Sequence, residues 1–164
     1  MITVKDNFFK TDLCNLITKG TEVYQWYYHH KSDIADPAHN KFFVSYLWTP
    51  QSEDNFFHLL WKLIHKEVSE VSDCDCWRII ANGQVKGQNG NWHRDHGDKT
   101  VLYFPLEWVP EWGGSTHFNI GDSETEIQYR RNRLLVFNSN ILHYGSCPTI
   151  ENILRISIAF NLRK

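Results

Sequence analysis

His93, Arg94 and Asp95 put an imidazole and a carboxylate two positions apart. On an extended chain, residues so spaced point to the same side, so the two groups are presented together. One imidazole and one carboxylate are two members of the 2-His-1-carboxylate facial triad, which holds non-haem Fe(II) and leaves the opposite coordination face open. A distant histidine must complete it, and the candidates are His96, His117 and His143. His96 follows Asp95 directly and fits a facial arrangement poorly. His117 lies further along the chain, inside a strand-like run. His143 lies further still, after the apolar run Leu134-Leu135-Val136-Phe137 and before the turn sequence Tyr144-Gly145-Ser146-Cys147-Pro148. A barrel mouth would present a ligand at such a place, so His143 is the choice. The HRD motif of protein kinases also contains His-x-Asp. That motif requires Asn five residues later, where this chain has Thr100, and neither a Gly-rich loop nor a DFG sequence accompanies it.

A second signal follows His143. In Arg155-Ile156-Ser157-Ile158-Ala159-Phe160 the apolar residues alternate, so Arg155 and Ser157 share a strand face. An arginine facing a β-core is costly unless it meets an anion. Its planar fork suits a carboxylate, and the Ser157 hydroxyl adds a second donor.

These residues need elements to position them. Thr11 as N-cap and Gly20 as stop predict a short helix over Asp12 to Lys19. Tyr24 to His29 and Phe42 to Trp48 read as strands, joined by a polar loop over Lys31 to Lys41. A longer helix is expected from Ser52 to Val71, opened by Thr49-Pro50 or Ser52. Its apolar face is read as Phe56, Leu59, Leu60, Leu63 and Ile64, backing a sheet. Trp77 to Ala81 is a strand, and the glycine-bearing stretch Asn82 to Asn91 a turn-rich connection. Short β runs follow at Val101 to Leu106, Thr116 to Ile120, Thr125 to Tyr129, Leu134 to Phe137 and Ile153 to Asn161. Helices first and many short strands after predict a mainly β, α+β fold: a jelly-roll core with N-terminal helices packed outside.

The 164 residues, 41% hydrophobic, fit one domain with a real core, and no repeat or linker divides them. A net charge of −2 without a basic tail argues against a dedicated nucleic-acid or membrane-surface binder. No apolar run reaches the roughly 20 residues of a membrane span. No signal peptide is read at the N-terminus, so the expected location is cytoplasmic. Cys14, Cys74, Cys76 and Cys147 lack zinc spacing and read as reduced structural thiols. The aromatic residues are expected mostly in the core, Trp108 and Trp112 included. Arg130, Arg131 and Arg133 read as a solvated edge, and His29-His30 as exposed.

The ordered set His93-x-Asp95, Glu111-Trp112-Gly113-Gly114-Ser115-Thr116-His117-Phe118, Arg133-Leu134-Leu135-Val136-Phe137, His143-x-Gly145-x-x-Pro148 and Arg155-x-Ser157 resembles the prolyl 4-hydroxylase-like branch of the 2-oxoglutarate/Fe(II) oxygenases, particularly small phage-encoded members. The likeness covers residues 76 to 164 as a catalytic core and fades over positions 1 to 75, a variable N-terminal support. It implies a double-stranded β-helix related to cupins, with Fe(II), 2-oxoglutarate and O2 as cofactors and ascorbate as a candidate reductant. It implies hydroxylation of a C–H bond with release of succinate and CO2. Arg155 and Ser157 would hold the distal carboxylate with help from Tyr103, and Asn82 would sit near the metal-binding end of the co-substrate. Asp95 argues for hydroxylation over halogenation, in which a small residue replaces the carboxylate ligand. The substrate is a peptide, with peptidyl proline the family-level expectation, or a small molecule such as a free amino acid. If phage-encoded, the protein would work in the host cytoplasm. Many relatives carry an acidic residue after the paired glycines, where this chain has Ser115, which leaves the substrate side open. Nucleic-acid dealkylation by the same chemistry and a non-catalytic metal-binding jelly-roll are the alternatives. The sequence does not set the oligomeric state.

Overall fold

A computed structural model describes residues 1–32, 39–121 and 123–164. Ten strands and two α-helices are present among them: β1 (Thr3–Lys5), α1 (Thr11–Val23), β2 (Tyr27–His30), β3 (Phe42–Trp48), α2 (Phe56–Glu67), β4 (Asp75–Gln84), β5 (Lys99–Phe104), β6 (Thr116–Ile120), β7 (Ser123–Ile127), β8 (Arg133–Asn138), β9 (Leu142–Gly145) and β10 (Arg155–Arg163). Most of the polar loop expected over Lys31 to Lys41 lies outside the described residues.

Two antiparallel sheets face each other. The larger runs β1-β8-β5-β10-β4-β3-β2 and the smaller β7-β6-β9. This is the double-stranded β-helix, a jelly-roll, with both helices on the outer face of the large sheet. The N-terminal part of the chain is woven into it, since it supplies β1, β2 and β3. No described helix is long and apolar enough to cross a membrane.

Side-chain alternation along the large sheet builds two separate environments. Val101 and Tyr103 of β5, Leu134 and Val136 of β8, and Ile156, Ile158 and Phe160 of β10 point outward and pack with Phe57, Leu60, Trp61 and Ile64 of α2. Leu102 and Phe104, with Leu135 and Phe137, point inward and pack with Phe118 of the small sheet. On β4 and β10 most inward positions are polar instead, Ile80 and Ala159 excepted. Asn82 and Gln84, and Arg155, Ser157 and Asn161, line a cleft of about 700 Å³ between the sheets.

Both helices differ from expectation. α1 extends to Val23, with Lys10 rather than Thr11 at its N-cap. Gly20 is interior to α1. A Cβ there would lie 3.2 Å from Phe57 Cζ, so the glycine permits close approach to α2 rather than ending the helix. α2 is shorter than Ser52 to Val71. Asn55 caps it, with Oδ1 accepting from the backbone N–H of Phe57 at 3.0 Å and of His58 at 3.2 Å. Extended backbone at Val68 ends it, ahead of a 3-10 turn at Ser69–Val71. Its buried stripe is Phe57, Leu60, Trp61 and Ile64, whereas Leu59 and Leu63 are exposed. Doubled apolar residues in Phe56-Phe57, Leu59-Leu60-Trp61 and Leu63-Ile64 satisfy helical periodicity at two rotations, and only the sheet decides between them.

The cap gives a stability prediction. The Asn55 side chain also donates to the Leu47 carbonyl at 2.8 Å, tying α2 to β3. Asn55→Ala should lower the melting temperature by roughly 2–4 °C, corresponding to about 1 kcal/mol for a lost cap. Calorimetry checks this, and an unchanged transition would contradict the assigned cap.

Candidate metal centre and co-substrate cleft

His93 and Asp95 lie between β4 and β5, and His143 is the second residue of β9. His93 and His143 form an antiparallel bridge, exchanging backbone hydrogen bonds of 3.0 and 2.9 Å. The Asp95 N–H donates to the Ser139 carbonyl at 3.0 Å, which fixes the next turn of the same segment. His143 therefore stands within a strand, not at a strand end before a turn. The bridge to His93 carries the small sheet one chain further.

Asp95 Oδ1 is 3.7 Å from His93 Nε2, and Asp95 Oδ2 is 3.6 Å from His143 Nε2. One donor atom from each of the three residues lies within 4.8 Å of the others. Both histidines are aimed by their own backbone. His93 Nδ1 is 2.9 Å from the Asn91 carbonyl, and His143 Nδ1 is 2.8 Å from that of Ile141. A proton held on Nδ1 leaves each Nε2 lone pair facing the shared space, the tautomer that a metal requires. Thr100 Oγ1 donates to Asp95 Oδ2 at 2.7 Å and lies 3.0 Å from Ser139 Oγ. Burial lowers the His143 pKa, with Asp95 opposing, so the imidazole stays in its uncharged, ligating form. Two nitrogens and a carboxylate oxygen, each oriented by a partner, fit a divalent transition ion. The His–Asp separations lie within twice a metal–nitrogen bond of roughly 2.1 Å.

The other histidine candidates do not join this group. His117 Nδ1 lies 2.8 Å from Glu124 Oε1, and its ring stacks on Tyr144 at a centroid distance of 4.5 Å. His96 lines the cleft outside the three-residue cluster. Asp98 points away and accepts from the Lys164 N–H at 2.9 Å.

Arg155 sits in the same cleft with 2% of its surface exposed. Its Nε donates to the Gly114 carbonyl at 2.6 Å, Nη1 to Gln84 Oε1 at 2.9 Å and Nη2 to Thr116 Oγ1 at 3.1 Å. Ser157 Oγ is 3.4 Å from Nη1, on the shared face expected for it. Every one of these acceptors is neutral, and no ion pair reaches Arg155 among the described residues. Burial pushes its pKa down to about 10, still well above neutral, so the guanidinium is a cation. Gly114 has φ +77, and a Cβ there would stand 2.9 Å from Trp108 and 3.2 Å from Arg155 Cδ. The paired glycines thus let the backbone close over the arginine.

Tyr103 and Asn82 part company. Asn82 lines the cleft, and its buried Oδ1 has no hydrogen-bond partner. Tyr103 is on the opposite face of β5, packed against Phe9, with its hydroxyl donating to Asn132 Oδ1 at 3.3 Å. The structure does not bring it to the cleft. The β5 residue facing Arg155 is Phe104, with the guanidinium carbon 5.6 Å from its ring centre. Trp108 is packing, donating to the Gly113 carbonyl at 2.7 Å and tilted against Tyr129. Arg130 and Arg133 pair with Asp6, and Arg131 with Glu107. The four cysteines are free thiols. Sequence reasoning missed Thr100, Gln84 and Thr116. Extending the β4 strand as far as Gln84 and reading every second position would have found that residue.

Thr100 carries a prediction. Thr100→Val keeps the shape and removes the hydrogen bond to Asp95 Oδ2. Metal affinity should fall by about 10–100-fold, the usual effect of losing a group that orients a ligand. Competition with a chelating dye measures it, and affinity equal to that of the parent chain would remove Thr100 from the site.

No protein-family model matches the chain, and no curated protein matches it in sequence. Solved structures do match in fold. A prolyl-4-hydroxylase from Pseudomonas putida superposes with a TM-score of 0.73 at 15% identity, covering 99% of this chain and 92% of that one. An oxidoreductase of the 2OG-Fe(II) oxygenase family from Burkholderia pseudomallei gives 0.77 at 11% identity, covering 99% and 84%. HygX from Streptomyces hygroscopicus, solved with nickel, 2-oxoglutarate and hygromycin B, gives 0.74 at 12% identity, covering 99% and 82%. The fold is therefore the double-stranded β-helix in the form that these oxygenases use.

Proposed function

We propose that the chain is an Fe(II)- and 2-oxoglutarate-dependent oxygenase, related to the prolyl 4-hydroxylases, that hydroxylates a C–H bond of a peptide or small molecule. One observation carries this reading: a buried cation with only neutral partners shares a cleft with a ready-made 2-His-1-carboxylate donor set. A three-residue donor set alone would suit a structural metal, and a buried arginine alone would suit a packing role. Together they match a dicarboxylate that meets a metal at one end and a guanidinium at the other. The folds of HygX, which was solved with nickel and 2-oxoglutarate, and of the Pseudomonas prolyl-4-hydroxylase support it.

In this reading His93, Asp95 and His143 hold Fe(II), and Thr100 keeps the carboxylate turned toward it. When bound, iron and 2-oxoglutarate would let dioxygen be split, one oxygen atom going into succinate as CO2 is released and the other into a C–H bond of the substrate. The chain supplies position. Gln84, Thr116 and the Gly114 carbonyl fix the Arg155 fork before the co-substrate arrives, so little side-chain entropy is lost on binding. Leu102, Phe104 and Phe137 keep the inner wall apolar, which strengthens the charge interactions beside it. Asn82 offers an unfilled polar group on the same wall, close to the co-substrate. The chain acts as one unit, because its N-terminal strands complete the sheet that carries the cleft.

The test is a screen of peptides and metabolites with Fe(II), 2-oxoglutarate and air, read by mass. The expected result is a substrate that gains one oxygen and stimulates succinate release. Metal binding with no succinate under any condition would favour the non-catalytic jelly-roll instead.

A further inference from the structure

Arg155 is not the only guanidinium in the cleft. Arg78 lies on the same inward face of β4, opposite Asn161 of β10, whereas Arg155 lies opposite Gln84. Six positions separate the two along each strand, roughly 20 Å of extended chain. Thr100, which holds Asp95, is in register with Asn161. The Asp95 carboxylate therefore stands toward the Arg78 end of the cleft, and Arg155 toward the other end.

Arg78 is half-buried, and its Nε donates to Asn161 Oδ1 at 3.0 Å. An arginine can only donate, so this bond fixes the Asn161 amide with its oxygen toward Arg78 and its nitrogen elsewhere. That nitrogen, Nδ2, is buried and has no partner, and Asn161 as a whole is 0% exposed. A cationic fork and an orphaned N–H donor thus sit side by side at the cleft wall. The amide nitrogen lacks an acceptor, and a buried donor left unmade is costly. Asp95 is the acidic side chain near enough for Arg78 to sense, yet no ion pair joins them. His30, beside Arg78, is held neutral by burial and by that arginine's charge, with its pKa pushed down to about 4. Arg78, Arg94 and Arg155 line the cleft with Asp95.

Resting on the oxygenase reading, we propose that Arg78 and Asn161 bind a free carboxylate on the substrate. Arg155 takes the co-substrate's distal carboxylate, and Arg78 takes a second anion at the end of the cleft that holds Asp95. A carboxylate suits a single guanidinium flanked by a neutral amide, both in charge and in its two acceptor oxygens. The substrate is then a free amino or hydroxy acid, or the C-terminal residue of a peptide, rather than an internal residue of a chain.

The experiment uses Zn(II)-loaded protein, which binds without turning over, and calorimetric titration with and without 2-oxoglutarate. The probes are the common L-amino acids, their hydroxy-acid analogues and short peptides ending in each amino acid, every one as free acid and as amide. At least one acid should bind about tenfold or more tightly than its amide, the scale of a hydrogen bond to a charged group. Free acids and peptides separate the two sources. Arg78→Gln should reduce that acid to the level of its amide while leaving 2-oxoglutarate affinity within about twofold, as judged against the hydrogen-bond scale. Asn161→Asp, which places a carboxylate against Arg78, should do the same without removing the arginine. The proposal is overturned if no acid outbinds its amide, if Arg78→Gln keeps the preference, or if Arg78→Gln weakens 2-oxoglutarate by about tenfold or more. Failure of wild-type protein to bind 2-oxoglutarate is a separate result: it removes the oxygenase reading, while the acid–amide contrast is still read without co-substrate.

Discussion

Asp95→Ala is expected to abolish substrate oxidation and to weaken metal binding by more than the roughly 100-fold ceiling typical of residues that merely orient a ligand. Asp95 is central to the cluster in three ways. Its two oxygens face one histidine each, at 3.7 and 3.6 Å, and its N–H is tied to Ser139. It is the only carboxylate in the cluster, so its loss leaves two neutral imidazoles to hold a divalent cation in a partly dry cleft. The change also frees the position that a halide would need. Asp98→Ala is the matched control, because Asp98 points at the chain terminus and should leave metal content intact. Metal content after gel filtration and succinate release with substrate are the measurements. Coupled turnover in the Asp95 variant would falsify the assignment of the triad.

The second large effect falls on the co-substrate. Arg155→Ala should leave metal content near that of the parent chain and weaken 2-oxoglutarate by roughly a hundredfold to several thousandfold, because stripping one partner from a buried ion pair costs about 3–5 kcal/mol. The variant loses a cation whose acceptors are all neutral, so no buried acid is orphaned, and the folded chain should tolerate the change. Arg155→Lys tests the shape of the fork: it keeps the charge and loses the simultaneous bonds to Gly114, Gln84 and Thr116. Anaerobic titration of 2-oxoglutarate reads both variants. Unchanged affinity in Arg155→Ala would assign the distal carboxylate elsewhere.

The pairing of His93 with Asp95 and the inward-facing arginine were legible because their signals are local: a same-face pair at i and i+2, and alternation along β10. The third member of the cluster was harder, since His143 and His117 both lie near strands. Only the bridge between His93 and His143 separates them, and pairing between distant segments leaves no mark on a single sequence. Tyr103 shows how little error parity allows. It neighbours Phe104 in sequence, yet the two occupy opposite faces of β5, so a shift of one position moves a residue from the cleft side of the sheet to the helix-packed core. The stripe of α2 was ambiguous for a related reason, with apolar residues doubled on adjacent faces. Arg78 and Asn161 were invisible as a pair, because they lie far apart in the chain and only the β4–β10 register joins them.

The most direct test of the account is anaerobic calorimetry of 2-oxoglutarate binding with and without Fe(II), on the parent chain and on His143→Ala and His117→Ala. The account predicts a single metal ion per chain, 2-oxoglutarate binding that requires it, loss of both in His143→Ala and retention of both in His117→Ala. Binding of 2-oxoglutarate that is indifferent to the metal, or equal metal content in the two variants, would contradict it.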